Sequence, residues 1–325
     1  MVDVSIVIPC YQEGDGLASM MERVGAVLDE MPGTAELVLV DDGSADATGD
    51  RAVALARDFR HPTRVVRLVR NFGQHPAVFA GLAHTRGAVV VTMDSDLQYP
   101  PHEIVRLVAE VSPEWPVVSG FRADRRDSWL RRKITGVMTR WLNRQTKTDL
   151  QDFGSMFRAY DRKVVERMLQ VTERHRFVPA VVAWLGVPIK EIPVEHQARD
   201  ERGSRYRLGT LADMFLDLVT GYAVFPLRVL TALGLAASFL GFVATLIFIA
   251  YRIFVGAGVS GTVSAFAVIF FLLCVQLLII ALVGEYVGRI YTEAKGRPYY
   301  IVNDVVENPA ARSTAAQKPL DPASV

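Results

Sequence analysis

The chain contains 325 residues, of which 50% are hydrophobic and 22% are charged, and its formal net charge is +1. This composition is too apolar for an ordinary soluble protein, so membrane-associated segments are expected. Nucleic acid is not among the expected partners of so nearly neutral a chain. Cys10 and Cys274 fall at a strand end and in an apolar helix, so no disulfide is expected. The six histidines show no spacing that is typical of a zinc site.

Strands and helices alternate through about the first 120 residues. Short apolar runs predict strands at Val4–Ile8, Ala35–Val40, Arg64–Leu68, Ala88–Met93 and Val117–Ser119. The segments between them predict helices at Gly16–Met31, Ala45–Phe59, Ala77–Arg86 and Pro101–Val111. Strands separated by helices of this length indicate an α/β fold with a parallel, doubly wound sheet.

A basic segment follows this alternating region. Residues 127–147 have apolar positions near helical spacing, among them Trp129, Ile134 and Trp141, interleaved with basic residues. A basic amphipathic helix that contains tryptophan is typical of a membrane interface. The alternative is a solvated helix that packs on the core of the domain. Leu208–Phe225 is a second amphipathic candidate.

Two long uncharged stretches come next, Val229–Tyr251 and Ile253–Gly284. Each can supply the roughly 20 apolar residues of a membrane-spanning helix, and a pair of buried core helices is the less favoured alternative. The connection between them offers only Arg252 as a basic residue, whereas the outer ends are flanked by Arg228, Arg289, Lys295 and Arg297. Both ends of this helical hairpin are therefore expected in the cytoplasm.

These patterns predict four regions. Residues 1–206 form a cytoplasmic domain whose strand-like start has no signal-peptide pattern, and residues 207–226 form an amphipathic juxtamembrane helix. Residues 227–291 form a transmembrane hairpin of two helices. Residues 292–325 form a cytoplasmic carboxyl-terminal segment that is expected to be disordered after about residue 308.

Polar motifs follow the first two predicted strands. Pro9-Cys10-Tyr11-Gln12-Glu13 places an aromatic side chain beside a carboxylate, which can stack on a nucleobase and accept hydrogen bonds from base or ribose. Asp41-Asp42-Gly43-Ser44 follows the second strand, where acidic side chains commonly bind sugar hydroxyls. A capped turn is the alternative interpretation of this second motif. No Gly-x-Gly-x-x-Gly motif follows the first strand, which argues against a dinucleotide-binding domain.

Two carboxylates follow the fourth predicted strand. Asp94 and Asp96 are two residues apart after the apolar run Ala88–Met93, so both side chains leave the strand end on the same side. Ligands of open parallel sheets bind beyond the carboxyl ends of the strands. Two carboxylates at such a place suit Mg²⁺ or Mn²⁺ shared with a phosphate, and a solvated turn is the alternative.

Taken in order, these residues resemble the motifs of glycosyltransferase family 2. The matching segments are Pro9-x-Tyr11-x-Glu13, Asp41-Asp42-Gly43-Ser44, Arg70-Asn71-Phe72-Gly73, Asp94-x-Asp96-Leu97-Gln98, Asp152–Arg158 and Arg199–Tyr206. Two apolar segments after this pattern are similar to those of the polyprenyl-phosphate glycosyltransferases within the family. Asn71–His75, Asp127–Trp129 and Gly284–Tyr291 resemble the undecaprenyl-phosphate 4-deoxy-4-formamido-arabinose transferases. Gln12 departs from the usual Asn, and Arg205 departs from the usual Lys but keeps the charge for phosphate binding.

The resemblance implies a GT-A catalytic domain that transfers a sugar with inversion from a UDP-linked nucleotide-sugar to a polyprenyl phosphate. It implies that the nucleotide contacts Pro9, Tyr11, Glu13, Asp41, Asp42, Asp94 and Ser95. It implies that Asp94, Asp96 and Gln98 hold Mg²⁺ or Mn²⁺. The lipid bilayer of a bacterial inner membrane is then a further partner, and relatives in this group suggest a homo-oligomer.

The acceptor is expected to meet cationic side chains. A lipid phosphate is already anionic at neutral pH, so it needs orientation more than a strong base. The candidates are Arg122, Arg158, Arg199 and Arg205, and a surface ion pair is the alternative for any one of them. Asp152 could orient the acceptor or act as a base, and helix capping is its alternative role.

The same residues bear on three rival functions. A processive polysaccharide synthase of this family would carry a Gln-x-x-Arg-Trp-type motif and more membrane helices, and neither is found in the chain. A sugar-nucleotide-binding scaffold or a small transporter would not need the Asp94, Asp96 and Gln98 cluster, and a transporter would need a polar path through the apolar segments. Gln276 is the only strongly polar residue deep within them, which disfavours transport.

Overall fold

A computed structural model describes residues 2–122, 143, 150, 155–173, 176–195 and 260–308, together with isolated positions between 234 and 254. The chain divides into two compact units, one formed by Met1–Arg202 with Pro298–Val325 and the other by Gly203–Arg297. We call the first the sheet domain and the second the helical unit. The helical unit is therefore inserted, in sequence, between two parts of the sheet domain.

The sheet domain contains a mixed sheet of eight strands. The strands are β1 (Val4–Cys10), β2 (Ala35–Asp41), β3 (Thr63–Leu68), β4 (Val89–Thr92), β5 (Val117–Arg122), β6 (Arg158–Asp161), β7 (Ile189–Val194) and β8 (Val302–Glu307). Their order across the sheet is β7-β5-β6-β4-β1-β2-β3-β8. The strands β4, β1, β2 and β3 are parallel to one another, whereas β6 and β8 are antiparallel to their neighbours. The sheet is mostly parallel, as predicted.

Among the described residues, six helices belong to the sheet domain and one long helix belongs to the helical unit. They are α1 (Leu17–Glu30), α2 (Thr48–Asp58), α3 (Gln74–Ala83), α4 (Glu103–Glu110), α5 (Arg162–Leu169), α6 (Val178–Trp184) and α7 (Ser260–Ala294). The five predicted strands and four predicted helices are confirmed as β1–β5 and α1–α4, with ends shifted by about three residues at most. The strands β6, β7 and β8 were not predicted.

Apolar side chains alternate between the two faces of the central strands. Ile6 and Ile8 of β1 pack in one core cluster with residues of α1, α2 and α4. Val7 of the same strand packs in a second cluster with α3, α5 and α6. Because both faces of the parallel strands are covered by helices, the strands are apolar in nearly continuous runs. This doubly wound arrangement leaves the strand ends as the places where polar residues can gather.

The helix α3 lies unusually close to the sheet. A Cβ atom on Gly81 would come within 2.3 Å of Val7 Cγ1 and 2.9 Å of Val40 Cγ2, so only glycine fits there. The residues Ala77–Ala83 are all buried. The helix begins at Gln74 rather than at the expected Ala77, because Pro76 is accommodated in a first turn that needs no backbone donor. The start of α3 is consequently held in a fixed position.

A buried ion-pair network joins β8 to the rest of the sheet domain. Arg64 of β3, whose side chain is 1% exposed, lies 2.9 Å from Glu36 and 2.6 Å from Glu307 of β8. Arg86 lies 3.0 Å from the same Glu307 carboxylate. At the end of β8, Asn308 accepts a hydrogen bond from the Thr63 backbone at 3.0 Å and donates to the Phe59 and His61 carbonyls. The last described strand is therefore an integral part of the sheet domain.

In the helical unit, α7 extends over 35 residues. Among its described side chains, large exposed hydrophobic ones recur every three or four residues and so share one broad face; they are Phe266, Ile269, Leu273, Leu277, Ile280, Val283, Val287 and Ile290, and Tyr291 next to the last of them is also exposed. Among the residues that the structure describes, none of the helices combines the length and hydropathy of a membrane span. The expected span Val229–Tyr251 lies largely outside the described residues. The predicted transmembrane hairpin stays a prediction.

Candidate functional site

The ends of three adjacent strands bring the predicted site residues to one edge of the sheet. The strands β4, β1 and β2 are neighbours and run in the same direction. Tyr11 and Glu13 follow β1, Asp41 ends β2, and Asp94 and Asp96 follow β4. Pro9 lies within β1 and Ser95 lies between the two aspartates. The arrangement gives a polar edge at the carboxyl ends of the parallel strands, where ligands of such sheets bind.

The Asp42 carboxylate holds the turn that precedes α3. Its Oδ1 accepts a hydrogen bond from the Phe72 backbone N–H at 2.8 Å, and its Oδ2 accepts one from the Gly73 N–H at 2.8 Å. The next residue, Gly43, has a φ of +60° and lies so close to Arg70 that an added Cβ would come within 2.2 Å of the Arg70 carbonyl carbon. The glycine of the Asp-Asp-Gly-Ser motif is therefore required by the close approach of the two loops.

The loops after β1 and β2 are also joined by hydrogen bonds. The Gln12 N–H donates to Ser44 Oγ at 3.1 Å, and the Ser44 N–H donates to Asp41 Oδ1 at 3.2 Å. The Glu13 N–H donates to Thr48 Oγ1 at 3.0 Å, at the start of α2. These bonds hold the segment around Tyr11, a residue that is 43% exposed, between two fixed strand ends. Tyr11 thus presents its ring to solvent at the polar edge.

A polar cleft lies beside these loops. It has a volume of about 620 Å³, and its lining includes Gln12, Glu13, Asp46 and Arg51. Arg51 pairs with Asp15, another lining residue, at 2.8 Å. The cleft is adjacent to Tyr11 and is of the size that small ligands occupy.

The two carboxylates after β4 have amide partners. Asp96 accepts hydrogen bonds from the Gln98 backbone N–H at 3.2 Å and from the Gln98 side-chain Nε2 at 2.6 Å. Asp94 Oδ1 accepts one from Gln74 Nε2 at 2.5 Å. Leu97, which lies between Asp96 and Gln98, has a φ of 55°, in the left-handed region that non-glycine residues rarely adopt. This tight turn brings the predicted cation ligands Asp96 and Gln98 into contact.

The oxygen ligands at this turn suit a hard divalent cation. Carboxylate and amide oxygens are the ligands that Mg²⁺ and Mn²⁺ prefer. Two carboxylates provide only part of a coordination shell, which fits an ion that is shared with substrate phosphates. The residues Asp94, Asp96 and Gln98 are therefore compatible with the implied cation.

A second carboxylate cluster lies elsewhere in the sheet domain. His102, Glu103 and Glu195 have potential ligand atoms within 4.8 Å of one another. The Glu103 side chain is buried, and it accepts hydrogen bonds from Arg106 at 2.6 Å and from the Glu195 backbone at 3.0 Å. Since protein donors already bind both oxygens of Glu103, this cluster is explained as a structural contact between α4 and β7.

The predicted acceptor-binding residues are described only in part. Arg158 begins β6, pairs with Thr92 at the end of β4, and is fully buried, with its Nε donating to the Ser155 carbonyl at 3.0 Å. Arg122 is the last residue of β5. Asp152, Arg199 and Arg205 lie outside the described residues. The first two arginines therefore stand at strand ends on the same edge as Asp94.

Sequence analysis did not identify Gln74 or the backbone of Phe72 and Gly73 as parts of this edge. Gln74 reaches Asp94 from the first turn of α3. The sequence signals were the Arg70–Gly73 motif and the overlapping segment Asn71–His75, which mark this loop without indicating which strand end it contacts.

The pH dependence of stability is expected to report on Asp42. Burial raises the pKa of Asp42 from 3.8 to about 6, although the hydrogen bonds from Phe72 and Gly73 oppose that rise. Because the folded-state pKa is the higher one, the stabilising contribution of the protonated carboxyl is full below about pH 4 and is lost as the pH rises through about 6. Thermal unfolding from pH 4 to 8 should show this loss in the wild type and not in Asp42→Asn. Parallel profiles for the two proteins would contradict the assignment.

The chain belongs to glycosyltransferase family 2. The sequence profile of that family, Glycosyl transferase family 2, matches residues 5–169. An undecaprenyl-phosphate 4-deoxy-4-formamido-L-arabinose transferase of Sodalis glossinidius (strain morsitans) is 38% identical over 317 residues, 97% of this chain and 97% of that protein. A protein of the same name from Edwardsiella ictaluri (strain 93-146) is 39% identical over 307 residues, 93% of this chain and 94% of its own.

Solved structures of another enzyme share the fold. Glucosyl-3-phosphoglycerate synthase from Mycobacterium tuberculosis, in complex with Mg²⁺ and uridine diphosphate, has a TM-score of 0.51 at 21% identity, covering 68% of this chain and 79% of that chain. Its complex with Mn²⁺ and UDP-glucose has a TM-score of 0.50 at 21% identity, with coverages of 68% and 79%. The likeness confirms the expected α/β, GT-A-like fold of the sheet domain.

Proposed function

We propose that this protein transfers a sugar, with inversion, from a UDP-linked nucleotide-sugar to a polyprenyl phosphate of the undecaprenyl type. The observation that carries the proposal is the convergence of Tyr11, Asp41 and the Asp94–Asp96 pair at the ends of three adjacent parallel strands. The names of the full-length relatives supply the acceptor and the reaction class. The product is a lipid-linked sugar for modification of the bacterial cell envelope.

The nucleoside binds over the loops that follow β1 and β2. Tyr11 has an exposed ring that can stack on the base, and Glu13 and Asp41 offer carboxylates to the base or the ribose. Asp42 contributes by holding the Phe72–Gly73 turn, since both of its oxygens accept backbone hydrogen bonds. Pro9 within β1 and Ser95 after β4 are the remaining residues that we propose to contact the nucleotide.

Asp94, Asp96 and Gln98 hold the divalent cation. When bound, Mg²⁺ or Mn²⁺ offsets the negative charge that develops on the departing diphosphate. The carboxylates fix the ion at the end of β4, beside the nucleoside loops of β1 and β2. The chain thus assembles the whole donor site from one edge of its sheet.

The acceptor phosphate attacks the anomeric carbon of the sugar directly. Its oxygen is ionised at neutral pH, so the new bond forms without removal of a proton while the nucleoside diphosphate leaves with the electron pair. Arg122, Arg199 and Arg205 attract and orient the phosphate. Arg158 is fully buried and adds its positive charge at the same edge of the sheet. Asp152 orients the ionised acceptor, and its alternative role as a base applies only to acceptor phosphate that still carries a proton.

The reaction takes place at a membrane surface, because a polyprenyl chain is insoluble in water. The exposed hydrophobic face of α7 supports membrane insertion of the helical unit, for which we propose the two-helix hairpin over residues 227–291. The segment 127–147 lies outside the described residues except for Asn143, and for it we propose a basic amphipathic helix in the headgroup region that gathers anionic acceptor. In this topology the sheet domain and both termini are cytoplasmic, at the bacterial inner membrane.

The proposal is tested with the full-length protein purified in detergent. Undecaprenyl phosphate is incubated with UDP-glucose, UDP-4-deoxy-4-formamido-L-arabinose, GDP-mannose or a dTDP-hexose, with and without EDTA. We expect a glycosylated lipid and stoichiometric UDP with one UDP-linked donor, and neither when EDTA or a dephosphorylated lipid is used. Binding of UDP without a lipid product from any donor would overturn the transferase assignment in favour of a sugar-nucleotide-binding protein.

A further inference from the structure

One hydrogen bond links the first turn of α3 to the carboxylate pair after β4. Gln74 Nε2 donates to Asp94 Oδ1 at 2.5 Å. The two residues lie 20 positions apart in the sequence and on different elements, so the contact is tertiary rather than local. Gln74 is exposed, so burial in the core does not explain why its side chain contacts Asp94. The contact therefore belongs to the polar edge of the sheet and not to the core.

Gln74 is supported by a rigid element. Its neighbour Gly73 has a φ of +104°, where glycine is favoured, and the Gly73 N–H is bound by Asp42 at 2.8 Å. The rest of α3 is pressed against β1 and β2 at Gly81. The backbone from which the Gln74 side chain extends is therefore fixed relative to the sheet.

We propose that Gln74 is a positioning residue for the divalent cation, because its amide fixes the orientation of the Asp94 carboxylate. This inference rests on the proposed function, in which Asp94 is a cation ligand. With Oδ1 held by Gln74, the direction of the second carboxylate oxygen is fixed as well. Hydrogen-bond donors to ligating carboxylates commonly contribute a factor of about 10 to 100 in metal affinity.

The same contact couples the nucleoside side of the edge to the cation side. Asp42, after β2, accepts hydrogen bonds from the Phe72–Gly73 turn, which immediately precedes α3. Gln74, the first residue of α3, in turn donates to Asp94 after β4. The amide is neutral, so it positions the carboxylate without adding a positive charge that would repel the cation.

The test measures Mn²⁺ binding rather than catalysis. Full-length protein in detergent is saturated with UDP, and free Mn²⁺ is quantified by electron paramagnetic resonance during titration. We expect Gln74→Leu to raise the Kd for Mn²⁺ about tenfold or more, with the metal-free Kd for UDP and the thermal midpoint unchanged. Gln74→Asn keeps the amide but is one methylene too short to reach Asp94, so it should weaken Mn²⁺ binding similarly. If Gln74→Leu lowers the thermal midpoint, the Kd for Mn²⁺ of Gln74→Asn is the test of the proposal.

Controls separate this inference from the function on which it rests. Gln170→Leu changes another exposed glutamine of the sheet domain, at the end of α5, and should bind Mn²⁺ as the wild type does. Wild-type affinity in both Gln74 variants, together with loss of binding in Asp94→Ala, would overturn the role of Gln74 alone. If the wild type and Asp94→Ala bind Mn²⁺ equally, the proposed cation site is wrong, and the role of Gln74 is overturned with it.

Discussion

Replacement of Asp96 with alanine is expected to lower the rate of sugar transfer about a thousandfold. Asp96 follows β4 and is held by two hydrogen bonds from Gln98, of which the side-chain bond is 2.6 Å long. A bound divalent cation contributes several kcal/mol of charge stabilisation in the transition state. At about 1.4 kcal/mol per factor of ten, the loss of a principal ligand corresponds to about three orders of magnitude.

The measurement is the initial rate of glycosylated lipid formation at saturating donor and undecaprenyl phosphate. Asp58→Ala serves as the matched control, because Asp58 is an exposed aspartate at the end of α2, away from the polar edge. We expect the control to keep the wild-type rate and the Asp96 variant to keep its thermal midpoint. Rates within tenfold of the wild type in Asp96→Ala would refute a metal-ligating role.

Replacement of Glu307 with alanine is expected to lower the free energy of unfolding of the sheet domain by about 3 kcal/mol. Glu307 lies 2.6 Å from Arg64 and 3.0 Å from Arg86, and both arginine side chains are almost completely buried. Breaking a buried ion pair by removing one partner typically costs about 3 to 5 kcal/mol, because a charge is left buried without compensation. Arg64 retains Glu36 at 2.9 Å, so the expected loss is at the lower end of that range.

A control on the same strand tests the importance of burial. Asp304 of β8 pairs with Arg67 at 3.0 Å, but the Asp304 side chain is 41% exposed. Because exposed ion pairs contribute at most about 1 kcal/mol, Asp304→Ala should be nearly neutral. Urea unfolding followed by tryptophan fluorescence gives both values. Equal losses of unfolding free energy in the two variants would show that the buried ion pairs stabilise the domain no more than the exposed one does.

The first half of the sheet could be predicted because its signals are local. Strands such as Ala35–Asp41 are buried on both faces and therefore read as apolar runs between helices. The later strands lack that signal: β6 has only four residues and begins with Arg158, and β7 contains Pro193. The strand β8 could not be found from its neighbours, since its partner β3 lies more than 200 residues earlier, as the pairing of Glu307 with Arg64 illustrates.

The same distinction applies to the site. Tyr11, Asp41, Asp94 and Asp96 could be brought together from the sequence, because the carboxyl ends of parallel strands share one edge. The link from Gln74 to Asp94 could not, because it depends on where α3 starts and on one side-chain rotamer. The positions of Asp152, Arg199 and Arg205 are still sequence-based expectations.

The return of the chain to the sheet after the helical unit has a consequence for biosynthesis. The ribosome makes β1–β7 first, then the whole of Gly203–Arg297, and only afterwards the strand Val302–Glu307. Until that strand emerges, β3 has an open edge, and Arg64 and Arg86 lack Glu307. A nascent chain therefore delivers its hydrophobic helix before its catalytic domain is complete, and translation arrested after α7 leaves a domain with an unprotected strand that chaperones and proteases can recognise.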